Sequence, residues 1–515
     1  MEPSVRYVFM NSLKKEPHKH QGAAAPEMGY LARGQIWSCA LRRLTRGFHL
    51  PMKRLTASYC LFLALTLSSF SSAQRLPEPS DLLDGLDTLA ELELEFGNQS
   101  PQLVPTLTEI AGIYRNDDRH VEAYRMLDRA TQVIRVSEGL YTQSQIPLVR
   151  MKVENYADWG DWDNAREQLE YLFWLHRTKS GRVDSLLIAN LMALNELHLR
   201  GISEDNYEFQ TFHFRRAARI NWLALGAAER LWGPTDLRLV PIIYSLVKHY
   251  HLQAVAVKQG GKTGYELRQI VPGADLVRER EDMHHYFYMT GLRLLDQLRS
   301  IQLAKSPIDL EAAAMAALYT ADWHLLFGEE DLALVAYRRT YEELSYAGRP
   351  TDELEQFFSM PSVLPVHDFY GSLATASIVE QVTRSSQSAF EPKQRDRSPG
   401  EADHAQLFFA EWGPSFPYAS SPDAVQNFSE ATGATLFSFD VSGVMEVTRF
   451  ISRKQVRTVA QLLNIDVVKP TPVSLEVREK MIARLEHLQL RPRLDAGYPV
   501  EASATLIYLS AAGVP

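Results

Sequence analysis

The stretch 105–130 carries two short amphipathic patterns on either side of a polar break at 116–119. The apolar positions are Leu107, Ile110, Ala111 and Tyr114 before the break, and Ala123, Leu127 and Ala130 after it. Spacings of three and four residues place each set on one face of a helix. Two short helices with small residues at their crossing predict a helical hairpin.

A second copy of this pattern lies at 147–172, and a third centres on Tyr250. Tyr156 follows Tyr114 by 42 residues, and the alanine and leucine of the second helix recur at the same offset. The second copy has a turn glycine, Gly160, where the first has Asp118. A period of about 40 residues is typical of arrays of helical pairs.

Three prolines support the same alignment. Pro105, Pro147 and Pro241 each lie nine residues before the tyrosine of their copy. Proline suits the first turn of a helix, where its missing N–H costs nothing. We predict about four to five helical pairs between 79 and 344, inside a repeat domain at 79–382, which is enough for a stable stack. The alternative is an ordinary helical domain with accidental spacing.

These positions resemble the packing signature of the tetratricopeptide repeat in its long-repeat form. The resemblance implies a mostly α protein, a solenoid of helical hairpins with a concave surface for protein or peptide partners. The repeat-packing residues are Leu107, Ile110, Ala111, Tyr114, Ala123, Leu127, Ala130, Tyr156, Gly160, Ala165, Leu169, Tyr250, Gly328, Ala333 and Tyr337.

The N-terminal region has the pattern of a secretory signal peptide at 52–73. A basic start and an apolar run are followed by small residues, which predicts cleavage after Ala73 and a periplasmic or secreted protein. Residues 1–51 are interpreted as a non-native or disordered extension. The alternative is a genuine cytoplasmic extension with the apolar run kept as an anchor. Both cysteines, Cys39 and Cys60, precede Ala73, so the mature form would contain no disulfide.

The mature chain is predicted to be strongly acidic. Subtracting the ten basic and three acidic residues of 1–73 from totals of 54 and 63 leaves a net charge of −16. Such a surface is poor for nucleic acid, which needs clustered positive charge. We therefore expect protein or peptide partners in the cell envelope, and no stable membrane span in the mature form.

A glycine-rich stretch suggests a phosphate-binding loop and a group of histidines suggests a metal site, but neither has the residue spacing that such a site requires. Gly260–Gly264 resembles a phosphate loop, but Ala256 stands where that loop requires its first glycine. We predict a β-hairpin insertion near 254–270 instead. The histidines at 249, 251, 284 and 285 lack the spacing of a zinc helix. With no nucleophile elbow or dinucleotide fingerprint either, we assign no catalytic, cofactor-binding or metal-binding residue.

The C-terminal region changes character after a linker at 383–405. Residues 406–515 predict a small α+β domain with a hairpin turning at Val441–Gly443, a helix at 475–488 and a last strand at 501–509. The order resembles the C-terminal domain of TonB energy transducers. The matching residues are Leu490, Pro492, Leu494, Gly497, Pro499 and Val500.

That resemblance implies a periplasmic β-sheet platform that pairs an edge strand with a partner peptide. The last strand is the candidate edge, and its covering by 407–412 is the alternative. Few contacts are expected to cross the linker, so the domain should fold alone.

The sequence thus favours a non-catalytic, secreted adaptor of a Gram-negative-type cell envelope. It would bind partners through a helical-repeat groove and a C-terminal β-platform. The alternative is an envelope enzyme with an unrecognised acid–base site in the C-terminal domain or the hairpin insertion. An isolated buried carboxylate or a His–Asp pair in a cleft would favour the enzyme, whereas a smooth solenoid groove without one would favour the adaptor. A third alternative is a structural subunit of an envelope assembly.

Overall fold

A computed structural model describes residues 80–179, 183–268, 280–378, 405–412, 416–418, 434–448 and 455–509. The N-terminal extension, the signal peptide and the predicted linker up to residue 404 lie outside these ranges, so the processing and the location stay predictions. Residues Glu78–Pro515 form one compact unit.

Ten of the thirteen described α-helices up to residue 357 form five pairs; one further helix precedes the pairs, one follows them, and a short one lies in sequence between the two members of the fourth pair. The helices are α1 Ser80–Phe96, α2 Val104–Asn116, α3 His120–Glu138, α4 Ile146–Asp158, α5 Trp162–Lys179, α6 Ser185–Glu204, α7 Gln210–Trp232, α8 Val240–Gln259, α9 Gly261–Arg268, α10 Arg280–Leu303, α11 Leu310–Leu326, α12 Glu330–Tyr346 and α13 Thr351–Phe357. The pairs are α2/α3, α4/α5, α6/α7, α8/α10 and α11/α12. The predicted mostly α hairpin array is confirmed. Within the described ranges, no helix is both long and apolar enough to cross a bilayer.

Three of the pairs share one turn geometry. Asp118, Gly160 and Gly328 have φ angles of 57°, 77° and 74°, in the left-handed region. The next N–H donates to the carbonyl oxygen five residues back in each turn, at 2.8, 2.8 and 2.9 Å. This bond satisfies a carbonyl that the end of the helix leaves open. Asp118 therefore takes the conformation that glycine takes in the other two turns.

The repeat-packing residues other than the two turn glycines lie in the core. The three prolines stand in the first turn of α2, α4 and α8, as the sequence predicts. Ala123, Ala165 and Ala333, at equivalent places in second helices, are fully buried. Tyr114 and Tyr156 lie near the ends of their helices, whereas Tyr250 lies in the middle of the longer α8.

The predicted β-hairpin near 254–270 is wrong, because this part of the chain is helical as far as it is described. Helix α8 continues to Gln259, and α9 follows after Gly260. Gly264 lies against α8 so closely that a Cβ atom there would be 2.7 Å from the Ala256 carbonyl oxygen. Helix α8 is buried around most of its circumference, so its valines show no helical period, and a short apolar run cannot separate helix from strand.

The C-terminal strands form one five-stranded sheet and three short pairings. The strands are β1 Ser362–Leu364, β2 Ala405–Trp412, β3 Phe416–Tyr418, β4 Ala434–Val441, β5 Val444–Thr448, β6 Gln455–Val459, β7 Leu462–Lys469, β8 Gln489–Arg491, β9 Arg493–Asp495, β10 Tyr498–Val500 and β11 Ala502–Leu509. The sheet order is β3-β2-β11-β4-β7, and α14, Leu475–Ala483, packs on it. Strand β11 is therefore interior, parallel to β2, so the open-edge prediction is wrong and the covering alternative is confirmed.

The hairpin predicted at Val441–Gly443 is also wrong. Strand β4 pairs with β7, and β5 pairs with β6, so the chain runs on through this point. Between these two pairings the Ser442 N–H donates to the Gln461 carbonyl oxygen at 2.9 Å, so the two strand segments stay hydrogen-bonded to each other there. A Cβ atom at Gly443 would lie 2.9 Å from the Pro499 carbonyl oxygen. The glycine thus permits a close backbone approach and does not mark a turn.

The C-terminal strands are joined to the helical array, against the expectation of an independent domain. Strand β1, which follows α13, pairs antiparallel with β8. The Leu494 N–H donates to the Phe358 carbonyl oxygen at 3.0 Å. Gly497 lies against α12, where a Cβ atom would be 2.9 Å from the Cα atom of Arg338. The residues that carry the TonB-like pattern are thus used for docking within this chain.

Candidate functional site

The first helices of the last two pairs, α8 and α11, meet through side chains, and the side that they share is here called the first-helix face. On α8, Tyr244 and Lys248 are four residues apart and share a side of the helix. The Tyr244 ring meets the Tyr319 ring of α11 edge to face, with centroids 5.2 Å apart. These three side chains bring polar atoms of two neighbouring first helices to one place.

An irregular segment of the same chain, Val366–Tyr370, lies on this place. Tyr244 Oη donates to the Val366 carbonyl oxygen at 2.6 Å, and Lys248 Nζ donates to that of His367 at 2.5 Å. Tyr319 Oη donates to the Asp368 carbonyl oxygen at 2.7 Å. Three side chains of the helical array therefore each donate a hydrogen bond to one of three consecutive carbonyl oxygens.

The segment is also held by one aromatic side chain and by its downstream end. Phe369 packs against Tyr319 with ring centroids 4.9 Å apart, and more loosely against Tyr244 at 6.5 Å. The Tyr370 N–H donates to Tyr319 Oη at 3.0 Å. The Leu373 N–H donates to a carboxylate oxygen of Glu311 on α11 at 2.9 Å.

Charged groups surround the middle of the segment. Burial lowers the pKa of Lys248, and the nearby carboxylates of Asp368 and Glu196 oppose that shift. Burial raises the pKa of Glu196, opposed by Lys248 and His367. The hydrogen bond from His367 lowers the pKa of Asp368, and Lys248 adds to this effect. The site therefore combines a main-chain clamp with a cation that attracts a carboxylate.

This arrangement can recognise an extended peptide by its backbone. Side-chain donors aimed at successive carbonyl oxygens read the main chain, and pockets for individual side chains then add selectivity. Within the segment, the ring of Phe369 contacts the rings of Tyr319 and Tyr244. In this structure the three donors hold a segment of the same chain.

A buried histidine–aspartate pair lies elsewhere in the array. His213 Nε2 is 2.9 Å from a carboxylate oxygen of Asp205, which also pairs with Arg166. Burial alone would raise the pKa of Asp205, but the hydrogen bonds from His213 and Arg166 lower it. The side chains of His213 and Asp205 both have 0 % exposure. The pair is enclosed between α6 and α7 and not in a cleft, so it gives the enzyme alternative no support.

The histidines near the predicted insertion lie against aromatic and amide side chains. His249 contacts Gln253 and Phe214, whereas His251 and His284 both pack on Phe327. No group of three or more His, Cys, Asp or Glu able to hold a metal ion occurs among the described residues. In the former phosphate-loop candidate, the Thr263 hydroxyl donates to Gln210 of α7 at 3.1 Å. Its role is to dock α9.

The tryptophans of the helical array divide between core and surface. Trp162 is buried, and Trp323 is fully enclosed. Trp159, Trp174 and Trp222 are exposed. Trp174 stacks on Tyr171 at 5.9 Å, and the Trp222 indole N–H donates to Tyr250 Oη at 3.0 Å. Aromatic residues at repeat spacing thus also serve the surfaces between pairs.

Sequence reasoning missed the clamp and its occupant. Tyr244 and Lys248 lie in a helix that also carries Ser245, His249, His251 and Gln253, so their spacing alone does not single them out. The stretch 364–371 shows no helical period and ends in two aromatic residues and a glycine. Its contact with α8 joins residues 119 apart in sequence, which no local pattern reveals.

No protein-family model matches this chain, and no curated protein matches it. Solved structures with similar folds include two of a Podosopora anserina putative kinesin light chain with nearly identical TPR-like repeats, one of them a point variant. Each is 12 % identical with a TM-score of 0.32, and the matches cover 48 % of this chain and 98 % and 96 % of those chains. The structure of BtubC (BKLC) from P. vanneervenii is 14 % identical, with a TM-score of 0.29, over 54 % of this chain and 95 % of that one.

Proposed function

We propose that this protein is a non-catalytic scaffold of the cell envelope that binds protein or peptide partners on its first-helix face. The observation that carries the proposal is the clamp of Tyr244, Lys248 and Tyr319 on three consecutive carbonyl oxygens. A clamp of this kind accepts any extended chain, because every residue except the last offers the same carbonyl group. Arrays of helical pairs supply the continuous surface such a chain needs.

The envelope location is proposed from the sequence alone. The basic start, apolar run and small residues before Gln74 form a signal-peptide pattern, and the acidic mature chain suits a soluble partner-binding protein. The C-terminal strands, similar in order to the TonB C-terminal domain, are proposed as a second contact surface. In the described sheet the outer strands are β3 and β7, so peptide pairing is proposed there and not at β11.

Cross-linking in the producing cell tests the proposal. The full chain, carrying an affinity tag at its C-terminus, is cross-linked in the cell and captured from the envelope fraction, and the linked peptides are identified by mass spectrometry. We expect a small set of proteins linked to residues within 80–378. A tagged envelope protein of equal abundance is the control. Capture of no protein beyond that control, or linkage confined to the C-terminal strands, would contradict the proposal.

A further inference from the structure

We propose that Val366–Tyr370 is a built-in occupant of the peptide site, displaced by an extended segment of a partner that carries an aromatic residue. This rests on the proposed function, because it names the chemistry of the partner for the same face. The carrying observation is that the chain's own segment already makes the contacts a partner would make: three carbonyl oxygens on Tyr244, Lys248 and Tyr319, and one ring on Tyr319.

The contacts of the segment are transferable to another chain. Each of the three clamp bonds ends on a backbone oxygen and would form equally with a foreign main chain. The selective contact comes from a side chain, because the Phe369 ring packs on Tyr319 and Tyr244. A partner that replaces this contact needs an aromatic ring.

Burial along the chain fits an occupant that can leave. Leu364 and Leu373, which flank the segment, are 3 % and 2 % exposed, so both ends are anchored. None of the five residues 366–370 is buried, and Asp368 is exposed. The segment has neither helix nor strand structure. Its departure therefore breaks the clamp bonds and the Phe369 contact and leaves the flanking core in place.

A tethered occupant weakens the binding of any free competitor. A segment anchored at both ends meets its site at a high effective concentration, in the millimolar range for short connections. The apparent association constant of a partner equals its intrinsic value multiplied by the fraction of molecules in which the site is open. Weakening the occupant should therefore strengthen the binding of a free peptide, provided that the clamp itself is intact.

A labelled peptide with the sequence of 364–371 tests this directly by fluorescence anisotropy against the full chain. We expect Phe369→Ala to bind it about ten-fold or more tightly than the unaltered protein, because the resident ring no longer fills the site. Ile378→Ala is the matched control, since Ile378 is an apolar residue downstream of the segment and is 61 % exposed. It should bind like the unaltered protein.

The clamp is tested in the released background. Adding Tyr319→Phe to Phe369→Ala removes the hydroxyl that donates to the third carbonyl oxygen. Most of the gain in affinity should then disappear. Adding Tyr346→Phe instead, at a tyrosine that is 83 % exposed, should leave the gain intact. No binding to the Phe369→Ala variant, or a gain that survives Tyr319→Phe, would overturn the proposal.

Hydrogen exchange on the unaltered protein gives a second readout that needs no substitution. With the unlabelled peptide in excess, the Tyr370 amide should exchange faster, because its bond to Tyr319 is lost on displacement. Unchanged exchange at Tyr370 while the peptide is bound would also overturn the proposal. The scaffold proposal survives either failure, because a partner can be cross-linked to the first-helix face without displacing Val366–Tyr370.

Discussion

The guanidinium of Arg491 makes two hydrogen bonds to the carboxylate of Asp322, at 2.9 and 2.5 Å, across 169 residues of sequence. The two side chains are 4 % and 5 % exposed, and the Tyr337 hydroxyl donates to the same carboxylate at 2.9 Å. Arg491 comes from β8 and Asp322 from α11. A buried ion pair thus joins the C-terminal strands to the last helical pair.

Removing one partner of this pair should destabilise the whole unit. Arg491→Ala leaves the carboxylate of Asp322 buried without its cation, which costs about 3–5 kcal/mol in systems of this kind. Arg493→Ala, two residues away on β9, is the control and should change the free energy of unfolding by much less. Urea unfolding followed by circular dichroism measures both. Equal stability of the two variants would show that the pair does not fasten the strands.

The turn residues predict opposite effects of two substitutions. Gly160 has a φ of 77° with open space around its Cα, so Gly160→Ala adds backbone strain alone, about 1 kcal/mol. Asp118 has a φ of 57°, so Asp118→Gly should relieve strain and stabilise by up to about 1 kcal/mol. Thermal unfolding compares them. Stabilisation by Gly160→Ala would mean that the shared turn geometry is wrong.

Buried histidines predict a loss of stability in mild acid. Burial lowers the pKa of His176, His249 and His251 to about 4, whereas an unfolded histidine titrates near 6.5. The unfolded chain thus binds more protons between these values. Above pH 6.5 these histidines are mostly neutral in both states and do not lower the stability. As the pH drops from 6.5 towards 4, the free energy of unfolding falls by roughly 3 kcal/mol for each histidine.

His251 tests this dependence because its ring can be replaced. Burial is the main cause of its low pKa, and the positive charges of His284 and Lys258 add to it. His251→Phe keeps a ring against Trp323 and Phe327 and removes the titration. The melting temperature should fall less between pH 7 and pH 5 than in the unaltered protein. His285→Phe, at an exposed position, should leave the fall unchanged. An unchanged fall in His251→Phe would contradict the assignment.

The processing prediction concerns residues outside the described ranges. The signal-peptide pattern ends at Ala73, so the protein isolated from the producing cell should begin at Gln74. N-terminal sequencing of that protein decides the matter. A chain that begins at Met1 or Met52 would remove the basis for an envelope location.

The sequence predicted the parts of the fold that depend on local spacing. The prolines at 105, 147 and 241, the alanines at 123, 165 and 333 and the turn at Gly160 all follow from a helical period and from backbone preferences that neighbours do not override. The helix at 475–488 was also found, although its last turn is a 3₁₀ turn at Arg484–His487.

The errors occur where distant contacts decide the structure. Gly443 signals a turn by residue type, yet it makes room for Pro499. The last strand looked like an edge, but β2 covers it from nearly a hundred residues upstream. The clamp joins α8 and α11 to 366–370, and the Arg491–Asp322 pair spans a longer distance still. A single sequence carries no period or motif that pairs such residues.

The central claim is that partners bind on the first-helix face at the clamp. The direct test is hydrogen exchange of the full chain with and without a protein partner captured by the cross-linking experiment. We expect slower amide exchange in α8 and α11 when the partner is bound, together with faster amide exchange at Tyr370. Protection confined to the second helices, α3, α5, α7, α10 and α12, or to the C-terminal strands would contradict it.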